Sequence, residues 1–236
     1  MYIVEGTIGA GKSTFLKLIH AALSEVTVVY EPLHNWQSSD NEESLLAHFY
    51  THPKRWASTM ETLIMMYRVK EHIKEQEGSS GIKLMERSIY SGHYCFTYNS
   101  YLQGFLTKIE WDIYLTWFNF LIPTKCAVPK GFIYLKVAPE IAYERIKKRN
   151  RSGEETIPLD YLQQLDARHT EFLIDKKNIL PELAQVPVLV LDCTKDFEEN
   201  SEEFLAHKEQ VKQFIYDQEL KADLLQDQID PKNLLL

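Results

Sequence analysis

Positive charge is in short supply in this chain. Its 26 lysines and arginines face 34 acidic residues, a formal charge of −8, which excludes a broad nucleic-acid scaffold while leaving room for a local basic cluster around a small anion. Cysteine is scarce too. Cys95, Cys126 and Cys193 lie far apart without C-x-x-C spacing, so neither a disulfide framework nor a structural zinc site is expected, and the thiols should be reduced and partly buried. No apolar run approaches membrane-spanning length, and an expected first strand at Tyr2 leaves no room for a signal or transit segment. No membrane partner and a cytoplasmic location are the resulting expectations. Linkers, internal repeats and low-complexity stretches are also missing. With 236 residues, 44% of them hydrophobic, one domain over residues 1–220 and a polar tail over 221–236 is the expected organisation.

What the chain does have begins at once. Gly6, Gly11, Lys12 and Ser13 fit G-x-x-x-x-G-K-[ST] within Gly6-Thr7-Ile8-Gly9-Ala10-Gly11-Lys12-Ser13-Thr14. In such a loop, glycines let main-chain N–H groups approach a nucleotide's phosphates, the lysine reaches the β- and γ-phosphates, and the serine hydroxyl can ligate magnesium. The context suits the motif. An apolar Tyr2–Val4 precedes it, and Phe15, Leu16, Leu18, Ile19 and Leu23 follow at helical spacing, so the helix offers its positive end to the anion.

Four more apolar runs read as strands: Val26–Tyr30, Ile82–Met85, Gly131–Val137 and Val186–Leu191. Helical patterns fill the intervals, at 42–50, from Pro53 to Glu77, at Ile89–Leu102, at Ile109–Ile122, from Pro139 through the arginines, at Pro158–Ile179 and at Phe204–Leu220. Strands alternating with helices predict an α/β fold of the P-loop NTPase type, a five-stranded parallel sheet with helices on both faces and an arginine-rich lid. Strand order stays open at this point.

Charged groups recur at strand ends, on the edge where parallel sheets bind ligands. Glu31-Pro32 follows the second strand and Glu86-Arg87-Ser88 follows the third. A carboxylate at Glu31 can orient an alcohol attacking a γ-phosphate, with Trp36 as a nearby aromatic wall. Glu86 is a candidate magnesium-water ligand, and Ser88 doubles as a helix N-cap. Arg145, Arg149 and Arg151 lie at i, i+4 and i+6, suited either to a lid over transferring phosphates or to a helix dipole's negative end.

Taken together, Gly6-x-x-Gly-x-Gly-Lys-Ser13, Glu31-Pro-x-x-x-Trp36, Glu86-Arg-Ser88 with Tyr90, and Arg145-x-x-x-Arg-x-Arg151 followed by Ile157-Pro-Leu-x-Tyr161 resemble the deoxyribonucleoside kinase family. The resemblance implies transfer of the γ-phosphoryl of ATP, or a similar triphosphate, to a nucleoside 5′-hydroxyl with magnesium as cofactor. Glu31 would be the base, and Arg87 would bridge hydroxyl and phosphoryl. Glu86 with Ser13 would place the metal, and Lys12, Arg145, Arg149 and Arg151 would stabilise transition-state charge. Tyr50 and Glu154 fall where the family grips the 3′-hydroxyl, Trp36 and Phe96 where it sandwiches the base, and Lys195-Asp196-Phe197 where it holds adenine. A homodimer through the helices around Ile89–Leu102 and Ile109–Ile122 is likewise implied.

Two positions depart from the family pattern. Glu61 stands where a glutamine is usual, and Gly92 where relatives active on cytidine place an aspartate against the arginine matched by Arg68. An ionised carboxylate only accepts hydrogen bonds, and Arg68 without its aspartate is expected to be available for a keto oxygen. The two side chains are about 10.5 Å apart along one helix face. Deoxyguanosine first and thymidine second are the expected substrates. A Glu61–Arg68 pair would leave base choice to shape.

A thymidylate-like nucleoside monophosphate kinase is the rival, but Pro32–Trp36 supplies no lysine or arginine for a second phosphate. A GTP-dependent switch would carry N-K-x-D and D-x-x-G, and neither occurs.

Overall fold

The computed structural model describes residues 1–32, 44–78, 81–151, 154, 156–197 and 201–229. Two compact units result, Met1–Thr194 and Lys195–Leu236. In the first, five strands, β1 (Tyr2–Glu5), β2 (Val26–Val29), β3 (Ile82–Glu86), β4 (Gly131–Lys136) and β5 (Val188–Asp192), form one sheet in the order β2-β3-β1-β4-β5. All pairings are parallel, as apolar runs joined by helical crossovers require.

The sheet is not uniformly covered. Central β1 is buried at every residue, and β4 at all but Lys136. Apolar as it is, β2 lies at an edge, with only Val26 buried and Tyr30, just beyond it, 45% exposed. Composition alone does not separate a half-covered edge strand from a central one, since both are β-branched and apolar.

Helices α1 (Lys12–Ala22), α2 (Leu45–Thr51) and α3 (Pro53–Glu77) follow the expected order, with Pro53 in the first turn of α3, where its missing N–H costs nothing. Residues 42–43, expected to open α2, lie outside the described residues. The Ile89–Leu102 run is helical but not uniform. α4 (Ile89–Ser91) and α5 (Tyr98–Leu102) flank a π-helical turn, Gly92–Thr97, a form that often marks functional positions. α6 (Lys108–Lys125) begins with a Thr107/Glu110 capping box. α7 (Pro139–Arg149) ends at Asn150 in the left-handed conformation.

α8 (Leu159–Leu173) stops short of the expected Ile179. Lys176 and Asn178 take positive φ, and the Lys176 ammonium donates to the carbonyls of Ala184 and Val186, bonds that a continued helix would not permit. A single turn, α9 (Pro181–Ala184), leads to β5.

The main core packs β1, β3 and β4 against α4, the π-helical turn, α6 and α8 through Ile3, Met85, Phe132, Tyr90, Cys95, Phe118 and Phe172. A smaller cluster of Leu46, Phe49, Ala57, Met60 and Leu106 joins α2 to α3.

In the second unit, α10 (Glu202–Ile229) continues past the expected end at Leu220. Lys195 pairs with Glu203 at 2.8 Å, and the Phe197 ring meets His207 edge-on.

Candidate active site

β1 lies between β3 and β4, and Val4 is in register with Glu86. The loops after β1 and β3 therefore leave the same edge side by side. The first is the phosphate loop. Gly9 has φ +81°, and a Cβ there would stand 2.4 Å from the Ala142 carbonyl oxygen of α7, so no other residue fits without displacing backbone. Gly11 caps α1 in the left-handed conformation. Inside the loop, the buried Lys12 ammonium donates to the carbonyls of Gly6 at 3.1 Å and Thr7 at 2.9 Å. Burial, then the nearby Arg87, lowers the Lys12 pKa to about 7, a shift that an anion in the loop would oppose.

The second loop carries the charges. Arg87 has φ +62° and donates its backbone N–H to the Val4 carbonyl at 2.9 Å, which holds a non-glycine residue in a costly conformation next to the phosphate loop. Its Nε donates to Glu31 Oε2 at 3.2 Å, and its guanidinium carbon stacks 4.6 Å from the Phe96 ring centre. Glu31, just past β2, also accepts from Arg68 Nη2 at 2.6 Å. Burial alone would raise the Glu31 pKa, but the two guanidiniums outweigh it and hold the carboxyl below its ordinary range.

This pairing bears on one expectation. Arg68 is engaged on two sides, Nη2 on Glu31 and Nη1 on the Ser88 carbonyl at 3.4 Å, while its buried Nε makes no hydrogen bond among the described residues. Gly92 faces the same guanidinium, since a Cβ there would stand 2.6 Å from Arg68 Nη1. Glu61 does not pair with Arg68. Its Oε1 accepts from Ser100 and its Oε2 from Thr97, each at 2.9 Å.

The fit of a divalent cation is decided by donor chemistry. The Ser13 hydroxyl donates to Glu86 Oε1 at 2.7 Å, bringing two hard oxygen ligands together at the loop. Among the described residues no group of three or more His, Cys, Asp or Glu is placed to hold a metal. A Ser–Glu pair of this kind suits magnesium, which keeps waters and takes substrate phosphate oxygens rather than an all-protein cage.

A cleft of about 260 Å³ joins these parts, lined by Gly9, Gly11, Lys12, Ser13 and Thr14 at one end and by Tyr50, Glu61, Arg68 and Phe96 at the other. Glu31, Glu86 and Arg87 lie on its wall, as do Arg149, Arg151 and Glu154. Both lid arginines pair with Glu154, Arg151 at 3.5 Å. Gly6, Thr7 and Ala10 shape the loop without lining the cleft. Arg145 is not brought to it: Nη2 donates to the Thr194 carbonyl at 3.4 Å, beyond the end of β5. Lys195, Asp196 and Phe197 belong to the second unit, and Trp36 lies outside the described residues.

Sequence reasoning missed Thr97, Ser100 and Glu5. Thr97 and Ser100 are three apart in the segment after Phe96, a spacing that puts both on one helix face, and a buried Glu61 demanding donors would have pointed to them. Glu5 ends β1 fully buried, accepts from the Ser88 hydroxyl at 2.5 Å, and is held above the usual carboxylate range by burial.

A sequence model of the family described as "Deoxynucleoside kinase" matches residues 2–216. This chain belongs to the deoxynucleoside kinase family. As a family member it is an enzyme, a kinase of the P-loop α/β type, and its match runs from β1 into α10. It is 34% identical to a mitochondrial deoxyguanosine kinase of Xenopus laevis, over 90% of this chain and 88% of that one. It is 32% identical to deoxycytidine kinase 2 of Gallus gallus, over 90% and 89%. Identity to the mitochondrial thymidine kinase 2 of Homo sapiens is also 32%, over 88% and 76%. The kinase relatives thus carry three different base names at nearly equal distance, and two of the three are named as mitochondrial. Among the described residues no helix is long and apolar enough to cross a membrane.

Proposed function

We propose that this kinase transfers the γ-phosphoryl group of ATP to the 5′-hydroxyl of a deoxynucleoside. The observation that carries the reading is the clamp on Glu31. An ionised carboxylate is fixed between two guanidiniums in the same cleft as Lys12 and Ser13. Phosphoryl transfer has a loose transition state, so the base mainly orients the hydroxyl and takes its proton late, work within reach of an acid of depressed pKa. Arg87 then bridges the attacking oxygen and the transferring group. Lys12, Arg149 and Arg151 neutralise charge on the phosphates, and Arg145 joins them only by leaving the Thr194 carbonyl. Ser13 and Glu86 would hold magnesium, which when bound supplies charge neutralisation at the phosphate oxygens.

Within the acceptor site, Tyr50 and Glu154 take the sugar 3′-hydroxyl, Phe96 one face of the base, and Glu61 the base edge. Deoxyguanosine is the first substrate and thymidine the second, because an ionised Glu61 accepts from N1–H and the N2 amine of guanine or from N3–H of thymine. A monophosphate acceptor is disfavoured. Its phosphate would meet the Glu31 carboxylate.

The family match from residue 2 to 216 supports one kinase domain over 1–220. The three buried, free thiols suit the reducing, cytoplasm-like compartment expected from the sequence.

We further propose a homodimer. On α6, Ile109, Ile113, Trp117 and Phe120 are 72%, 55%, 49% and 59% exposed, at spacings that form one apolar stripe. Met66 of α3 is 47% exposed and shares a shallow depression with Leu121 of α6. The Ile89–Leu102 run contributes little, since Ile89, Tyr90 and Cys95 are core and Leu102 alone is well exposed. Light scattering should give a dimer mass for the wild type and a monomer mass for the Ile113→Lys/Trp117→Lys variant; an unchanged mass removes the stripe from the interface.

The kinase reading is tested by ADP release with and without each deoxynucleoside. ADP should appear only when a deoxynucleoside is present. Equal release without one would replace the reading with a nucleotide hydrolase or switch.

A further inference from the structure

Glu61 lines the cleft, and its surroundings are unusual for a fixed acceptor. Each carboxylate oxygen has two lone pairs and already takes one hydroxyl bond, Oε1 from Ser100 and Oε2 from Thr97. Each therefore keeps one position for a ligand. The Thr97 hydroxyl, which also hydrogen-bonds the Tyr114 hydroxyl, has one hydrogen to share between Glu61 Oε2 at 2.9 Å and the Gly92 carbonyl at 3.0 Å. With Glu61 ionised, that hydrogen points to the carboxylate. With Glu61 neutral, it turns to Gly92 and the hydroxyl becomes an acceptor. Neither state leaves a buried group orphaned, a loss that would otherwise penalise one of them.

We infer that Glu61 selects the nucleobase by its protonation state, with Thr97 as the two-way partner that makes both states available. Ionised, Glu61 accepts from the N–H edge of guanine or thymine. Neutral, it turns its one acid proton from Thr97 to the ring nitrogen beside the amine of cytosine or adenine, and the Thr97 hydrogen returns to Glu61. The inference rests on reading this cleft as the nucleoside site.

The other groups facing Glu61 do not change charge near neutrality. Arg68, on the same helix, stays cationic. Tyr50 of α2, Tyr114 of α6 and Tyr161 of α8 are all pushed upward by burial and stay neutral. Burial raises Glu61 itself to about 7 against the pull of Ser100, Thr97 and Arg68. Lys12 titrates in the same range but acts on the phosphates, so a ratio between two nucleosides cancels it.

The test is the ratio of kcat/KM for deoxycytidine to that for deoxyguanosine, measured with one donor from about pH 6 to about 8. In the wild type the ratio should fall at least about tenfold as pH rises. Glu61→Gln should give a flat ratio. Thr97→Val, which removes one donor to the ionised form, should move the midpoint upward. A flat wild-type ratio, or a Glu61→Gln ratio that still falls, overturns the inference, and an unmoved midpoint in Thr97→Val overturns the part given to Thr97. If neither nucleoside is phosphorylated at any pH, the nucleoside-site reading fails and takes the inference with it.

Discussion

Arg87→Lys should lower kcat by about 10³-fold or more while leaving triphosphate binding near the wild-type value, because an arginine that stabilises a transferring phosphoryl group contributes about that much. Lysine keeps the charge but loses the fork. In the wild type one edge of the guanidinium donates to Glu31, and its plane rests on Phe96, so the remaining N–H groups have a fixed direction. A lysine ammonium is a point charge on a flexible stem and cannot hold the acid and reach a phosphoryl oxygen in one geometry. The comparison is clean in the backbone, since lysine and arginine bear the same penalty at φ +62°. Single-turnover kinetics and calorimetry separate chemistry from binding. A rate within tenfold of the wild type would remove Arg87 from the transition state and leave it as an anchor for Glu31.

How far the sequence reached can be judged from the same residues. The phosphate loop was legible because its function fixes its chemistry: Gly9 has no substitute where a side chain would strike Ala142. The strand ends were legible because apolar runs stop at charge. Strand order was not, since parallel crossovers leave few marks on sequence, and the order β2-β3-β1-β4-β5 is what brings Arg87 beside the loop. The Arg68–Glu31 bond spans 37 positions and depends on the fold entirely. Helical spacing grouped Arg145 with Arg149, yet only Arg149 and Arg151 line the cleft, because the first arginine finds a carbonyl past β5. Glu61 was read as acceptor-only from its ordinary chemistry. Burial, invisible to residue type, is what moves it toward neutrality.

Glu31→Gln should lower kcat by about 10² to 10⁴-fold, the usual contribution of a positioned general base, with nucleotide binding retained. Glutamine is the informative replacement. Glu31→Ala would leave Arg68 and Arg87 buried beside no anion, and breaking a buried pair in that way costs roughly 3–5 kcal/mol, so lost activity would be confounded with lost fold. Glutamine keeps the shape and offers one acceptor oxygen, although its amide must turn away from a guanidinium. The pH dependence of stability provides a second signature. Because the folded-state pKa of Glu31 is lowered, mainly by Arg68 and Arg87 acting against burial, its contribution is fully present above the ordinary carboxylate range and disappears as pH falls through the lowered value. Chemical denaturation across that acid range should show the loss in the wild type and a shallower one in Glu31→Gln. Turnover within tenfold of the wild type would mean that the nucleoside hydroxyl is oriented by some other group and that Glu31 serves only to hold its two arginines in place.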